Sequence, residues 1–528
     1  MARRAFLAAV VLVLLVAGLL PVLAMLAKSV TADGHLTLAS YRGLLASGRQ
    51  WALMGHSLAL ASLVTLLTTA AGLPLGILIG KTDLPLRRFF TVLFVIPLLI
   101  PTYILAVSWS GLLSGEGLVA QVFGGPAAMK LLFGLPGCVA VLFTVFLPVP
   151  MLFTVIFLRT VNPRLEEAGL LVSGWRGVLA GITVPLIRPG LLLAAMLVFL
   201  LSFGDFDVPG YLRYGVFPVE SFTQFSAFYN FGAATAAAVP LAAVTLMLLL
   251  AEAGFLQAGT CQLRPSADAG QRPLIRLGAW RNALAVLVAL CGCVTVVVPV
   301  AALVVQSSGI AAYAEAFGRA GDSLARSLAY AAAGATLLTF TGFFTGYLIQ
   351  TKAIWCWRAV DTLTFFLFAL PGTVTGIGLI CLWNTPWTNF IYQTPLIILL
   401  GYLAKYTALA SRITVAQLAQ IPPSMEEAAR IAGAGWFRRM ALIVAPMARR
   451  GLLAGWIVAY IFSLRDTGIT MLVYPAGHET LPVRILTLMA NGSPQLIAAL
   501  CVIMIAATLL PAGLLWAAFT FTARETRG

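Results

Sequence analysis

The sequence predicts an all-α membrane protein of about twelve transmembrane helices, and two observations support that prediction. Of the 528 residues, 61% are hydrophobic and only 10% are charged, with a mean hydropathy of +0.98. A water-soluble chain cannot bury so much apolar surface, so lipid must be the solvent for most of it. The apolar residues also fall in runs of about 20, which is the length that crosses a bilayer as a helix.

Six predicted spans lie in each half of the chain. They cover approximately 5–27, 57–80, 89–111, 131–158, 190–209 and 233–256, then 282–305, 327–350, 362–383, 394–416, 451–473 and 495–521. The first run follows Arg3 and Arg4, as the apolar region of a signal peptide would. It is longer than such regions usually are, so we expect an uncleaved first span.

The charges show a strong bias, with a net charge of +15. Most Lys and Arg residues fall in the loops at one side of the predicted membrane, which the positive-inside rule assigns to the cytoplasm. This rule explains the excess of positive charge without a nucleic-acid partner. Because each half has an even number of spans, we expect both termini in the cytoplasm.

The two halves of the chain repeat each other. His56 to Ala59 recurs as Arg326 to Ala329, and Pro101 recurs as Pro371 at the same spacing. We therefore predict a first half at 1–261, a polar cytoplasmic linker at 262–281 and a second half at 282–528. Even span numbers make the repeat parallel, with a pseudo-two-fold axis along the membrane normal.

A polar element occurs once in each half, at 163–190 and at 423–451. Each copy has paired glutamates, small residues, a tryptophan, and then a proline and a glycine. The residues concerned are Glu166, Glu167, Ala168, Gly169, Ser173 and Gly174 in the first copy, and Glu426, Glu427, Ala428, Ala429, Gly433 and Ala434 in the second.

Each copy predicts a short helix that another protein can approach closely. Pro163 and Pro423 suit a first helical turn, and acidic residues there offset the helix dipole. In the second copy, Ser424 and Glu427 have the spacing of a capping box. The tryptophans that follow, Trp175 and Trp436, are expected at the level of the lipid headgroups.

The alternative for either copy is an amphipathic helix that lies on the membrane surface. Two copies in register, on the same side of the membrane, favour a docking helix in each half. The sequence contains no Gly-rich phosphate loop followed by Lys and Ser or Thr, and no cluster of catalytic or metal-binding residues. We therefore expect a protein that is not itself an enzyme and has no cofactor.

The two polar elements resemble the cytoplasmic coupling motif of permeases from binding-protein-dependent ABC importers. The second copy matches the motif well, whereas the first has Gly169 in place of an alanine and Ser173 in place of a glycine. The resemblance implies a type I importer permease in the bacterial inner membrane. It also implies two copies of an ATPase subunit bound at the motifs and an extracytoplasmic binding protein that delivers the substrate.

Two aspartates occupy matching places in the fifth and eleventh spans. Asp205 and Asp466 follow Gly190 and Gly451 by fifteen residues, roughly 22 Å along a helix. They form either a pair of carboxylates near the outer gate or the caps of two helices. Their neighbours Ser202 and Ser463 are further candidates for the translocation path, while Asp207 and Lys405 are weaker ones because neither has a like-charged counterpart.

The segments at 203–209, 464–470 and 479–484 resemble the fused permeases of the ferric-iron group. Fused thiamine and aminoethylphosphonate permeases are similar, so these substrates stay open beside ferric iron. A secondary transporter driven by an ion gradient is the alternative from another class. It would favour acidic residues near the midplane and no docking helices, and the sequence has the opposite pattern.

Overall fold

The computed structural model describes residues 2–32, 35–113, 125–228, 231–258, 274–307 and 309–525. Helices account for nearly all of this part of the chain, which confirms the all-α prediction. Strands within it are limited to an antiparallel pair, Thr31–Ala32 with His35–Leu36. Thr82 and Ile275 form an isolated parallel bridge.

The helices are grouped here by the half of the chain in which they lie. Those of the first half are Ala2–Leu14, Leu20–Ser29, Ala39–Ala46, Gly48–Lys81, Arg87–Leu99, Thr102–Leu113, Gly125–Leu132, Leu135–Phe146, Pro148–Leu158, Pro163–Val172, Trp175–Val178, Val184–Phe203, Asp207–Tyr211, Phe217–Ser226 and Phe231–Ala258. Those of the second half are Trp280–Gly292, Val298–Gln306, Ile310–Thr351, Trp357–Ala369, Gly372–Trp383, Asn389–Tyr392, Leu396–Leu418, Pro423–Ile431, Trp436–Arg439, Ala445–Leu464, Thr470–Val473, Leu481–Leu488 and Pro494–Glu525.

Four π-helical turns join some of these helices. They are Leu15–Leu19, Leu179–Thr183, Cys293–Val297 and Met440–Val444. One of these turns lies in the first span of each half, and one lies within each polar element. The repeat seen in the sequence therefore extends to local irregularities of the backbone.

The predicted spans at 89–111 and 362–383 are not continuous helices. Within the described residues, ten helices are long and apolar enough to cross a membrane, and two further pairs of helices are sharply bent. The bends are 98° at Pro101 and 107° at Pro371. Proline forces the residue before it out of the helical region, and Ile100 and Leu370 accordingly have ψ values of 139° and 137°.

The described helices form two compact units whose composition differs from the predicted halves. One unit, here the 309–528 unit, comprises Met1–Gly48, Glu220–Ala243 and Gly309–Gly528. The other, here the 49–219 unit, comprises Arg49–Val219 and Val244–Ser308. The first span of each half thus groups with helices of the other half. The division of the sequence at 262–281 stays a prediction, and residues 262–273 lie outside the described part of the chain.

The core of the 309–528 unit joins the first span to the second polar element. Leu7 and Val10 are buried against Phe344 and Tyr347 of the helix Ile310–Thr351, and Trp436 belongs to the same cluster. In the 49–219 unit, Val288 of the seventh span is buried in a cluster with Phe90 and Met151. Apolar packing therefore fixes the first span beside the second polar element, and the seventh span beside the helices Arg87–Leu99 and Pro148–Leu158.

Close helix packing is repeated in the two units. A Cβ atom added at Gly76 would lie 2.5 Å from Thr154, and one added at Gly346 would lie 2.7 Å from Thr414. Each glycine has a second glycine four residues earlier, which is also in tight contact with the neighbouring helix. Small residues at this spacing let two membrane helices approach closely.

Candidate functional site

Each polar element forms a short helix, as predicted. The first coupling helix is Pro163–Val172, and the side chain of Asn162 caps it by accepting a hydrogen bond from the Arg164 amide at 3.0 Å. The second coupling helix is Pro423–Ile431. Its cap position is Pro422, which makes no side-chain capping bond. The predicted capping box of Ser424 and Glu427 is therefore wrong, because the helix begins one residue before the serine.

The first glutamate of the first coupling helix is buried. Glu166 is 1% exposed, and its carboxylate forms an ion pair with Lys81, the last residue of the long helix Gly48–Lys81. The hydroxyl of Thr183 donates to the other carboxylate oxygen at 2.9 Å. The Lys81 ammonium also lies 5.7 Å from the centre of the Trp175 ring. The helix is thus held by a buried charge pair, with a hydrogen bond to its carboxylate and an aromatic ring beside its ammonium.

The described end of the linker pairs with the loop that follows Lys81. The amide of Ile275 donates to the Lys81 carbonyl at 2.9 Å. The carboxylate of Asp83 accepts a bond from the Leu277 amide at 2.9 Å, and the Arg281 side chain donates to the Asp83 carbonyl. The entry to the seventh span is therefore joined to the lysine that holds the first coupling helix.

The first glutamate of the second coupling helix has a different environment. Glu426 accepts a hydrogen bond from the Tyr347 hydroxyl at 2.9 Å, and the Arg439 Nε lies 3.6 Å away. Its side chain is 27% exposed. Arg439 also donates to the Ala434 carbonyl at 3.2 Å, so it joins the end of the helix to the turn after it. The shortest contact to the glutamate here comes from the neutral hydroxyl of Tyr347, whereas in the first site it comes from the buried ammonium of Lys81.

The second glutamate of each coupling helix faces away from the protein. Glu167 and Glu427 are exposed, and so are Ala168 and Ala428. Large apolar side chains stand beside them: Leu171 and Val172 are each 90% exposed, and Ile431 is 85% exposed. Each helix thus presents a carboxylate, small residues and an uncovered apolar end on one surface.

The departures from the motif in the first copy have local causes. A Cβ at Gly169 would lie 2.6 Å from the end of the Ile182 side chain and 3.1 Å from Val178, so an alanine would force the Ile182 side chain to shift. Ser173 has an extended backbone, with φ −143°, whereas its counterpart Gly433 has φ +82°. A positive φ favours glycine, and only the second copy has one at this place.

The tryptophan of the second copy is buried within the protein and is not exposed to lipid headgroups. Trp436 is only 9% exposed and packs among Phe6, Phe344 and Tyr347. Its indole N–H points to the Tyr347 hydroxyl at 3.4 Å. The prediction was wrong because the first span covers this ring, and the sequence around the motif gives no sign of that distant segment.

Both candidate aspartates hold the start of a short helix. Asp205 accepts a hydrogen bond from the Val208 amide at 3.0 Å. Asp466 is 5% exposed and accepts bonds from the amides of Ile469 and Thr470 at 3.1 and 3.0 Å. The Tyr406 hydroxyl donates a third bond to Asp466 at 2.7 Å. This geometry favours helix capping over a free pair of carboxylates.

The remaining candidates in the spans are polar groups in apolar surroundings. Ser202 and Ser463 are 2% and 0% exposed, and their hydroxyls have no hydrogen-bond partner within the described part of the chain. Asp207 accepts a long bond from Thr102 at 3.4 Å. The Lys405 ammonium lies 5.9 Å from the centre of the Tyr406 ring. Among the described residues, no group of three His, Cys, Asp or Glu side chains is placed to hold a metal ion.

Sequence reasoning missed the residues that hold the two coupling helices. Lys81 and Glu166 are 85 positions apart, and Tyr347 and Glu426 are 79 apart. The charge bias of the sequence places Lys81 only among the many basic residues of the predicted cytoplasmic loops. Its equivalent under the repeat is Thr351, so the repeat itself gives no hint of a lysine at this place.

The long apolar helices and the paired surface helices are those of a multi-pass membrane protein. Residues 339–520 match the family of binding-protein-dependent transport system inner membrane components. This region of the second half is therefore similar to permease components of binding-protein-dependent ABC transport.

Curated relatives with low identity agree with this class. A putative ferric transport system permease protein of Haemophilus influenzae is 27% identical over 33% of this chain, and a ferric transport system permease protein of Actinobacillus pleuropneumoniae is 24% identical over 34%. These matches span only 28% and 27% of the two relatives' lengths. A putative 2-aminoethylphosphonate transport system permease protein of Salmonella typhimurium is 24% identical over 37% of this chain and 72% of its own length.

Proposed function

We propose that this chain is the membrane-spanning subunit of an ATP-driven importer and that its two coupling helices bind two copies of a cytoplasmic ATPase. The exposed ends of the helices are the main support. Leu171, Val172 and Ile431 leave apolar surface uncovered at two equivalent places, each next to an exposed glutamate. Exposed apolar patches with a polar rim are typical of protein interfaces.

The proposal assigns different roles to the two glutamates of each motif. Glu166 is buried and Glu426 is bonded to Tyr347, so both position their helix within the permease. Glu167 and Glu427 are exposed and are the ones that contact the ATPase. A movement of the ATPase would then reach the helices Gly48–Lys81 and Ile310–Thr351 through Lys81 and Tyr347.

Alanine substitution of the exposed glutamates tests this assignment. In Glu167→Ala and Glu427→Ala variants, purified from native membranes with their partners, we expect less ATPase retained and an unchanged thermal unfolding transition. The loss should be greater for Glu427, whose copy matches the motif better. Glu315→Ala, an exposed glutamate at the opposite end of the long helix Ile310–Thr351, is the control. Full ATPase retention and transport in the double variant would refute the proposal.

Membrane orientation is the second part of the proposal. We place the coupling helices and both termini in the cytoplasm of a bacterium with this chain in its inner membrane, in accord with the Lys and Arg bias. A reporter fused at Gly477 should be external, and one at Gln271, outside the described residues, should be cytoplasmic. An external signal at Gln271 would contradict the parallel repeat.

Ferric iron, delivered by an extracytoplasmic binding protein, is the substrate that we propose first. The support is the two ferric permeases among the relatives, together with the resemblance at 203–209 and 464–470. An aminoethylphosphonate-type substrate is the second candidate, because that relative is matched over most of its length. Thiamine has support only from the resemblance of fused permeases.

Uptake of radiolabelled ferric iron and of a labelled phosphonate, each measured in cells with and without this gene, separates these candidates. The same cells test the alternative of a secondary transporter. If uptake continues after ATP is depleted while the ion gradient is clamped, the importer proposal fails. Loss of uptake under those conditions supports ATP as the energy source.

A further inference from the structure

A cavity of about 310 Å³ lies in the 309–528 unit, at the end of the helix Ile310–Thr351 that is opposite the second coupling helix. Its polar lining comes from two segments, one at the start of that helix and one after the short helix Thr470–Val473. The charged and polar side chains are Arg319, Asp322, Ser323, Arg326, Glu479 and Arg484. Its volume is in the range of small-ligand sites.

The arginines of this cavity have more hydrogen-bond donors than the protein uses. Arg326 donates to the Glu479 carbonyl and to the Ser323 hydroxyl, both at a long 3.4 Å. Within the described part of the chain it forms no ion pair with a carboxylate. Arg484 bonds the Arg319 carbonyl at 3.2 Å and lies 3.3 Å from the Glu479 carboxylate. Each guanidinium has five N–H donors, so several point to the cavity or to solvent.

The first half of the chain has the same arrangement of loop hydrogen bonds, but it lacks counterparts of Arg326 and Arg484. The Ser57 hydroxyl accepts the Phe217 amide at 2.8 Å, just as the Ser327 hydroxyl accepts the Leu481 amide at 2.6 Å. The His56 ring is 3.0 Å from the Gly215 carbonyl, at the place where Arg326 meets the Glu479 carbonyl.

In the first half, a histidine is thus enough to contact the loop carbonyl. The equivalent loop in the second half therefore does not need the guanidinium of Arg326 in order to fold. The same alignment places Glu220 of the first half where Arg484 stands in the second. Only the second half thus has two arginines, Arg326 and Arg484, at these equivalent positions. This difference indicates that they serve in binding rather than in folding.

We propose that this cavity binds a small oxyanion of the phosphate or carboxylate type. The side of the membrane depends on the proposed function. Ser323 and Tyr347 lie on one helix, roughly 36 Å apart. With the coupling helices in the cytoplasm, the cavity faces the compartment from which substrate arrives. Arg326 and Arg484 supply the charge-assisted hydrogen bonds.

The negative charge of Asp322 allows a second test of the proposal. Its carboxylate is exposed on the rim of the same cavity and opposes the binding of an anion. Asp322→Asn should therefore tighten binding roughly two- to fivefold, since an exposed charge acts weakly. Arg326→His reproduces the residue of the first half and keeps a donor for the Glu479 carbonyl. It should weaken binding about tenfold or more, since it removes charge-assisted bonds.

The experiment is calorimetric titration of the full chain in nanodiscs of phosphatidylcholine at pH 8, without an ATPase. One arm uses inorganic phosphate and the other uses N-acetyl-glutamate amide, a small carboxylate. Tighter binding of phosphate indicates a phosphate-type anion, and tighter binding of the glutamate derivative indicates a carboxylate-type anion. Arg49→Gln, at the first-half position equivalent to Arg319, is the control and should bind like the wild type.

The proposal is overturned if neither anion binds in a manner that depends on Arg326, or if Asp322→Asn weakens binding. A folding defect of Arg326→His would show as a changed thermal transition, and the Asp322→Asn result would then decide. Because no ATPase or uptake is measured, failure here is distinct from failure of the proposed importer function.

Discussion

The two coupling helices expose similar surfaces but are held in different ways. The first is fixed by Lys81 and Glu166, a charge pair that is almost completely removed from solvent. The second is fixed by a neutral hydroxyl, that of Tyr347, and by a more distant arginine. Removing one partner of a buried charge pair leaves the other uncompensated, whereas losing one hydrogen bond from a neutral hydroxyl to a partly exposed carboxylate costs less. The first helix should thus be the less tolerant of change in its support.

The largest effect is expected at the buried pair. Lys81→Met leaves the Glu166 carboxylate buried and unpaired, so the free energy of unfolding should fall by about 3–5 kcal/mol. Adding Glu166→Gln removes the stranded charge and should restore much of the loss. Denaturant unfolding of the single and double variants in detergent measures both changes. If the double variant is as unstable as the single one, the lysine matters through packing rather than charge.

A smaller effect is expected where the first helix packs on its own turn. Gly169→Ala brings a methyl group against Ile182 and Val178, and overpacking of this kind costs about 1–3 kcal/mol. Ile182→Val in the same chain should recover part of the cost, which thermal unfolding would reveal. Ala429→Gly, at the matching place in the second helix, is the control. Equal losses at both places would show that the two helices are packed alike.

The two aspartates extend the comparison to a second pair of positions that are equivalent under the repeat. Asp466 accepts three hydrogen bonds and Asp205 accepts one from a described amide, so Asp466→Ala should cost more than Asp205→Ala. We expect about 2 kcal/mol for the former and about 1 kcal/mol for the latter. Asp→Asn at both sites keeps an acceptor and removes the charge. Normal substrate uptake by that double variant would identify both residues as caps, and slowed uptake with normal assembly would restore a role in the path.

The smallest effect is expected for the support of the second helix. Tyr347→Phe removes one hydrogen bond to Glu426, and the free energy of unfolding should fall by about 0.5–1.5 kcal/mol. The fraction of ATPase that co-purifies should change less than in Lys81→Met. A loss as large as that of Lys81→Met would mean that the two supports are equivalent despite their chemistry.

Much of the fold follows from local patterns in the sequence. Apolar runs give the spans, and the spacing of Pro101 and Pro371 gives the repeat. The same prolines also mark the bends, but a hydropathy pattern does not distinguish a straight span from two helices at 98° or 107°. The polarity of the coupling helices was visible because proline, paired glutamates and small residues occur together within a few positions.

The contacts that hold those helices in place could not be predicted from the local sequence, because they join residues that are far apart in the chain. Trp436 shows this limit well. Its sequence context predicts an interfacial ring, yet Phe6 and Phe344, from two other helices, enclose it. Which of two adjacent glutamates turns inward likewise depends on the position of a lysine 85 residues away.

The composition of the compact units has a consequence for how the protein is made. Residues Met1–Gly48 belong to a unit whose other members include Gly309–Gly528, which is synthesised much later. The first span must therefore stay in the bilayer, with its inward-facing side chains covered by lipid or by a temporary partner, until the helices of that later segment are inserted. Contacts between such distant segments slow folding. Two separately expressed pieces divided at the linker would have to exchange their first helices after insertion before either unit could be completed.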